Sequence, residues 1–455
     1  MEKISRHEMP LRDALKRRYE FEEVALGYDE KTAIEEAKRC LNCKNPLCME
    51  GCPVSVNIPE FINEIKNGDF DKAAESLLKK NNLPAICGRV CPQETQCEEK
   101  CIRNKIDGAV AIGNLERFIG DYNLKHRKVI KPDKTRELKT CVIGSGPSSL
   151  SFAAEILKAG GKVTMYEALH ETGGVLVYGI PEFRLPKELV KNEIQGLIDL
   201  GLEVKTNVVV GKTILLDELK KEYDYIFIGT GAGLPSFMKI PGENLVGVFS
   251  ANEYLTRVNL MKAYKEDAPT PVMKGKKVGV FGAGNVAMDA ARTALRLGAE
   301  EVYIIYRRSR KEVPARHEEV IHAEQEGIKF EFLTNPIEIL GKDNKVCGIK
   351  CIRMELGEPD ASGRRRPIPI PNSEFEIPMD MVIVAIGTSP NPLLRSTCEG
   401  LNVSKWGTIE VNEKMETSIE NVYAGGDAVT GAATVILAMG AGKKAAESVL
   451  EKYNK

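Results

Sequence analysis

Apolar and polar positions along this chain fall into two similar blocks. In the first, the strand-like run Lys139–Ile143 meets a glycine turn at Gly144 and Gly146, then an apolar-periodic segment from Leu150 to Leu157, then a second run from Lys162 to Glu167. Short apolar runs bounded by glycine predict buried strands, and apolar recurrence at every third or fourth place predicts a helix. The second block starts at Lys276. Lys277–Phe281 predicts a strand, Gly282 to Ala287 a turn, Met288 to Gly298 a helix, and Val302–Tyr306 the next strand. Val208–Val210 and Tyr225–Ile228 predict further buried strands, the latter ending in a turn at Gly229 and Gly231. Residues 346 to 384 predict a β-meander with a polar tip at Gly363–Arg366, and Met381 to Gly387 returns the chain to the first sheet. Val422–Ala424 is a last strand, and a helix from Thr434 to Leu450 closes the chain.

Upstream of the first block the pattern is helical. Residues 1 to 39 read as helical and charged, with Asp29 or Thr32 placed to cap a helix through Ala33 to Ala37. Ile58 to Lys80 carries Phe61, Ile65, Phe70, Ala74, Leu77 and Leu78 at helical spacing, which predicts an α-helical spacer. Ile112 to Phe118 predicts a linking helix. Lys125 to Lys139 is polar, and its charge run 131–137 reads as a solvated linker and domain boundary.

A strand, a turn with two close glycines and a helix form a phosphate cradle. The glycines let the backbone approach a pyrophosphate, and the helix start presents free N–H groups. In the first block Gly144 and Gly146 serve this role, Pro147 and Ser148 open the helix, and Ser149 replaces the third glycine. Glu167 falls about 20 residues on, where a carboxylate meets a ribose diol. In the second block the matching strand ends in Arg307 and Arg308, suited to a ribose 2′-phosphate, with an exposed basic turn as the plain alternative. Gly173 and Gly174 let backbone press against a flat ring, unless they form a surface loop. Asp427 could meet a ribityl or phosphate-side hydroxyl, and the helix start at Thr434 and Val435 could face the ring carbonyls.

At 455 residues with a net charge of −1, the chain has room for about three domains and lacks the basic face that nucleic acid or an anionic membrane requires. No apolar run approaches the ~20 residues of a membrane helix, and Met1 to Pro10 is too polar for a signal peptide, so a soluble, cytoplasmic protein is expected. Eight of the twelve cysteines lie between Cys40 and Cys101. Cys40, Cys43, Cys48 and Cys52 are separated by two, four and three residues, with Pro53 following; Cys87, Cys91, Cys97 and Cys101 form a second set. Structural zinc and two 4Fe-4S clusters compete for these thiols. Zinc sites usually present paired Cys-x2-Cys knuckles, and only Cys40 and Cys43 have that spacing, so iron and sulfur are favoured. Cys347 and Cys351, four apart on a strand, read as packing residues.

These motifs, with 179–187, 282–289, 306–309 and 424–427, resemble the small (beta) subunit of NADPH-dependent glutamate synthase. The large subunit of NADH-dependent ferredoxin:NADP oxidoreductase (sulfide dehydrogenase alpha subunit) and the N-terminal half of dihydropyrimidine dehydrogenase look the same. The resemblance implies an α-helical iron-sulfur domain followed by α/β, with two Rossmann-like domains of the FAD/NAD(P) disulfide-reductase type. The expected boundaries are 1–135 for two 4Fe-4S clusters, 136–265 and 385–455 for FAD, and 266–384 for an inserted NADPH domain. One cluster would take Cys40, Cys43, Cys48 and Cys101. The other would take Cys52, Cys91, Cys97 and Glu116, whose plain alternative is a helix-surface acid; Cys87 would be a buried thiol. By the same resemblance Arg184, Gly231, Gly387, Gly426 and Asp427 attend the flavin with the first-block residues, and Gly282, Gly284, Asn285, Val286 and Asp289 attend NADPH. Ser148 and Ser149 stand where Ala and Gly are usual, and Val177 where Arg is common.

The expected chemistry is electron transfer between NADPH, FAD and the clusters, with no side-chain acid or nucleophile required. The expected partner is a second redox subunit, either the glutamate synthase large subunit or the flavin and iron-sulfur small subunit of a bifurcating transhydrogenase. Ferredoxin is a further candidate; no nucleic acid or membrane is expected. An alternative of another class is a non-catalytic iron-sulfur or zinc interaction module.

Overall fold

The computed structural model describes residues 4–129, 131–361 and 363–454. Two five-stranded parallel sheets dominate it. The first runs, in spatial order, Val422–Ala424, Tyr225–Ile228, Lys139–Ile143, Lys162–Tyr166 and Glu203–Lys205. The second runs Val248–Ser250, Met381–Val384, Lys277–Phe281, Glu301–Tyr306 and Lys329–Phe332. In each, the central strand has four consecutive buried residues after an exposed lysine, as expected for a parallel sheet covered on both faces. The helices Pro147–Lys158 and Asn285–Arg296 follow directly from the two glycine turns.

Glycine is required at those turns for two reasons. Gly144 and Gly282 have φ of 94° and 118°, and a Cβ there would sit 2.6 Å from the Gly229 carbonyl and 2.3 Å from the Ala385 carbonyl. Each turn therefore lies hard against the chain leaving a neighbouring strand. A two-strand antiparallel ribbon, Leu234–Pro235 with Thr388–Ser389, joins the outgoing and returning connections between the sheets. The meander is a three-stranded antiparallel sheet of Thr334–Lys342, Lys345–Pro359 and Arg365–Ile377.

Several expectations are corrected. Met381–Val384 pairs with Lys277–Phe281 and Val248–Ser250, so it belongs to the second sheet. Val248–Ser250 and the helix Ala251–Asn259 also join that unit, ahead of residue 266. Val208–Val210 forms no ladder; Val210 makes only an isolated bridge to Ile214. Cys347 is the extra residue of a β-bulge between the Leu340/Gly348 and Gly341/Val346 pairs, which turns it to solvent while Cys351 stays buried.

In the N-terminal region Met1–Lys3 lie outside the described residues, and between 4 and 39 only Ala14–Arg17 and Glu30–Ala37 are helical. Asp29, not Thr32, is the N-cap, accepting from the Thr32 N–H at 2.8 Å. The spacer is two helices, Ile58–Lys66 and Phe70–Leu78, broken at Gly68. The linking helix extends from Ile112 to His126, and the run 131–137 is largely exposed, with Ile130 outside the described residues. Ile62, Leu77 and Leu115 of this domain share one buried apolar cluster with Leu150, Phe152 and Met439. The helical domain and the first sheet thus form one packed body.

Candidate functional site

Both parallel sheets point their carboxyl ends into one cavity of ≈ 1260 Å³. That exceeds the roughly 300–1,000 Å³ of a drug-sized site, leaving room for two nucleotides end to end. Gly144, Gly146, Pro147 and Ser148 line it from the first turn, and Gly282, Gly284, Asn285 and Val286 from the second. Gly146 and Gly284 are the N-cap residues, and neither helix start has a side-chain cap, so the first-turn N–H groups are left for a ligand. Glu167, Gly174, Arg184, Gly231, Asp289, Arg307, Arg308, Gly387, Asp427, Thr434 and Val435 also line the cavity. Of the expected set Gly173 does not, and neither does Gly426. Gly426 stands behind the wall, where a Cβ would lie 2.8 Å from the Ser148 hydroxyl.

Glu167 is buried and oriented. One carboxylate oxygen accepts from the Ser145 N–H at 2.9 Å and from the Ser145 hydroxyl, and the other from the Leu169 N–H at 2.8 Å. The Ser145 hydroxyl in turn accepts from the Gly173 N–H at 2.9 Å, tying the first turn to the paired-glycine loop. Nothing in the pattern Gly-x-Gly marks that middle serine, and it was not singled out from the sequence. Asp427 accepts from the Ala433 N–H at 3.2 Å, and burial pushes its carboxyl up. Thr434 caps the closing helix Val435–Tyr453 through the Leu437 N–H.

Where the two sheets meet, Arg184 forms a 2.7 Å contact to each Asp289 carboxylate oxygen and a 3.0 Å pair with Glu319. Burial pushes Asp289 up to about 6, against the pull of Arg184. Arg307 is exposed on the cavity wall. Arg308 is buried, its guanidinium donating to Asp360 at 2.5 Å and to the Arg365 carbonyl at 2.8 Å. The adjacent arginines thus differ: one is open to a ligand, the other ties the strand end to the meander tip, from which Arg364 also lines the cavity.

The thiols gather as two sets drawn from both Cys loops. Cys40, Cys43, Cys48 and Cys101 surround a second, small cavity of ≈ 30 Å³ and remain partly exposed. Burial, and then repulsion from Cys101 and Cys40, pushes the Cys48 thiol up to about 12. Cys52, Cys91, Cys97 and Glu116 lie within electrostatic reach of one another. Burial pushes Cys52 up to about 11 and Glu116 up to about 7, where Glu116 accepts from the Asn81 amide at 2.6 Å. Glu116 therefore faces inward and is not a surface acid. Among the described residues no three His, Cys, Asp or Glu side chains close on a single metal ion. Crowded, buried thiols become thiolates readily only when a bound metal supplies positive charge, and four donors in each set fit an iron-sulfur cluster. Cys87 is fully buried, 3.6 Å from the Asn81 side-chain oxygen and 3.5 Å from the Met439 sulfur.

Val90 and Pro92, on either side of Cys91, line the large cavity. The sequence placed Cys91 in a cluster loop but held no signal that its neighbours reach the nucleotide site. No helix among the described residues is long and apolar enough to cross a membrane.

Residues 138–442 match the pyridine nucleotide-disulphide oxidoreductase family, and residues 17–128 match the dihydropyrimidine dehydrogenase domain II, 4Fe-4S cluster family. The glutamate synthase (NADPH) small chain of Azospirillum brasilense is 38% identical, over 96% of this chain and 92% of that one. The NADP(+)-dependent formate dehydrogenase subunit beta of Moorella thermoacetica is 39% identical over 88% of this chain, which spans only 59% of that longer protein. Among solved structures, FprA of Mycobacterium tuberculosis in complex with NADPH shares the fold over 70% of this chain and 85% of that one, with a TM-score of 0.59 and 23% identity. An N-terminal 4Fe-4S domain joined to a two-sheet nucleotide-binding body, with these relatives, makes the chain a member of the glutamate synthase small-chain family of flavin and iron-sulfur oxidoreductases.

Proposed function

We propose that the chain takes electrons from NADPH into bound FAD and passes them through two 4Fe-4S clusters to a second redox subunit, as the small chain of an NADPH-linked glutamate synthase. The observation that carries this reading is the single cavity lined by both glycine turns and by Val90 and Pro92 beside Cys91. Gly144, Gly146, Pro147 and Ser148 would hold the FAD pyrophosphate at a helix start, with Glu167 on the ribose. Gly174, Gly231, Gly387 and Arg184 would flank the ring, with Gly426, Asp427, Thr434 and Val435 on the ribityl side. Gly282, Gly284, Asn285 and Val286 would hold the NADPH pyrophosphate, with Arg307 on the 2′-phosphate. Asp289, clamped by Arg184, would fix how the second sheet faces the first.

Bound there, FAD supplies the exchange between two-electron chemistry at the nicotinamide and one-electron delivery to the clusters. The protein's share is positioning and exclusion of water. Cys52, Cys91, Cys97 and Glu116 would hold the cluster nearer the cavity, and Cys40, Cys43, Cys48 and Cys101 the one nearer the surface. Around the latter set Leu41, Leu47, Ile102 and Ile106 are exposed, with Lys44, Lys66 and Lys100 exposed as well. An apolar centre with a basic rim suits a partner subunit with an acidic rim around its own redox group. Twelve unpaired cysteines fit residence in a reducing cytoplasm.

Protein purified without oxygen should contain flavin and about eight iron atoms with matching labile sulfide. It should reduce a dye with NADPH yet form no glutamate alone. Zinc in place of iron, or flavin-free protein, would refute the reading.

A further inference from the structure

Arg316 joins the nucleotide side of the cavity to the loop that carries Cys91. Its backbone N–H donates to the Asn285 side-chain oxygen at 2.9 Å, at the first residue of the helix behind the second glycine turn. Pro314, two residues earlier, lines the large cavity. The guanidinium crosses into the thiol-bearing domain. One terminal nitrogen donates to the Arg89 carbonyl at 2.7 Å, and the other to the Gln93 side-chain oxygen at 2.8 Å, so the two bonds straddle Cys91. The neighbouring His317 N–H donates to Glu94 at 2.9 Å in the same loop.

The charge at this place is buried. The Arg316 side chain is 5% exposed, whereas its two ion-pair partners, Glu94 at 3.7 Å and Glu318 at 2.9 Å, are 32% and 39% exposed. Water screens those two anions more than it screens the guanidinium; the buried Glu98 and Glu319 also feel its charge and offset part of it, and the remainder reaches the Cys91 loop. The Arg316 Nε has no hydrogen-bond partner in its buried position, and the residue does not line the cavity. Its contacts are therefore with the cluster loop rather than with a nucleotide.

We propose that Arg316 is a positioning residue that clamps the Cys91 loop to the nucleotide domain and, through its positive charge, raises the reduction potential of the cluster held by Cys52, Cys91, Cys97 and Glu116. The inference rests on the electron route above. An extra electron on a cluster is stabilised by a nearby cation, so removing the cation makes that cluster harder to reduce. The other cluster set shares none of the Arg316 contacts and should hardly respond.

The test is a redox titration of the anaerobically purified holoprotein followed by electron paramagnetic resonance, on wild type, Arg316→Gln and Arg316→Lys. Arg316→Gln should lower the reduced-to-oxidised ratio of the second cluster about tenfold at the wild-type midpoint, equivalent to about 59 mV for a one-electron couple. The flavin and the other cluster should keep their midpoints. Arg316→Lys keeps the charge and loses the fork, so its midpoint should stay closer to wild type. An unchanged midpoint in Arg316→Gln, or an equal shift of every centre, overturns the proposal. Should Arg316→Gln fail to hold its clusters, Arg316→Met removes the same charge with an apolar stem: a downward shift of the second cluster alone supports the proposal and no shift overturns it. Wild-type protein without cluster signals would instead sink the electron route itself.

Discussion

Arg307 and Arg308 are neighbours in sequence with opposite surroundings. Arg307 is open on the cavity wall, whereas Arg308 is held by Asp360 and the Arg365 carbonyl. Arg307→Ala should raise the KM for NADPH about tenfold or more and leave that for NADH nearly unchanged, since one charge-assisted pair to a phosphate contributes roughly 1.5–3 kcal/mol. Equal effects on both nucleotides would contradict that role. Arg308→Ala should instead cost about 1–3 kcal/mol in chemical denaturation, because it removes the two bonds that tie the strand end to the meander tip. The sequence held both arginines at the strand end. Which one a distant meander tip would occupy depends on a contact across more than fifty residues, and local pattern carries no record of it. Glu116 shows the reverse case. Its place as a ligand was expected only by resemblance, and the structure adds that its side chain is buried beside Cys97.

At the scale of elements, strand-turn-helix units were legible because both central strands run buried after their first lysine and both turns demand glycine. Gly282→Ala would force a Cβ against the Ala385 carbonyl. It should abolish reduction by NADPH while the flavin, bound on the other sheet, is retained; unaltered NADPH turnover would contradict the close fit. Met381–Val384 was assigned to the wrong sheet for a physical reason. Four buried apolar residues announce a covered strand but not its neighbours. Cys347 was misread because a bulge shifts the alternation by one, and no residue in the run forces a bulge there.

Another element-level feature lies where the helix Lys187–Leu200 meets the start of Pro84–Val90. Glu193 accepts from the Ala85 N–H at 3.0 Å, and burial pushes its carboxyl from 4.5 up to about 8. With the folded value raised, the native state binds the extra proton between about pH 4.5 and 8. Its contribution is then most favourable below pH 4.5 and declines as pH rises through that window. Glu193→Gln keeps an acceptor for Ala85 and removes the proton. It should flatten this decline and gain about 1–3 kcal/mol at pH 8, measured by denaturant melts at pH 5 and pH 8. An unchanged slope would show that Glu193 does not titrate in this window.

At the scale of the whole molecule, the helical domain shares its core with the first sheet. The Cys91 loop is further pinned to the second sheet by Arg316, and Arg184 crosses from the first sheet's unit to Asp289 and Glu319. All three parts therefore converge on one cavity rather than hanging as separate modules. The order of domains along the chain was legible from cysteine spacing and glycine turns. Their convergence was not, because it depends on side chains such as Val90, Pro92 and Arg316 that carry no motif signature of their own, and on the pairing of Arg184 with Asp289, which no motif records.

The most direct measurement is an anaerobic titration of the purified protein with NADPH, recording the visible spectrum and the electron paramagnetic resonance signal of the same samples. Bleaching of the flavin bands together with growth of a reduced-cluster signal would place nucleotide, flavin and clusters on one connected route. Bleaching of flavin with clusters that stay oxidised toward NADPH but accept electrons from dithionite at a similar potential would contradict it.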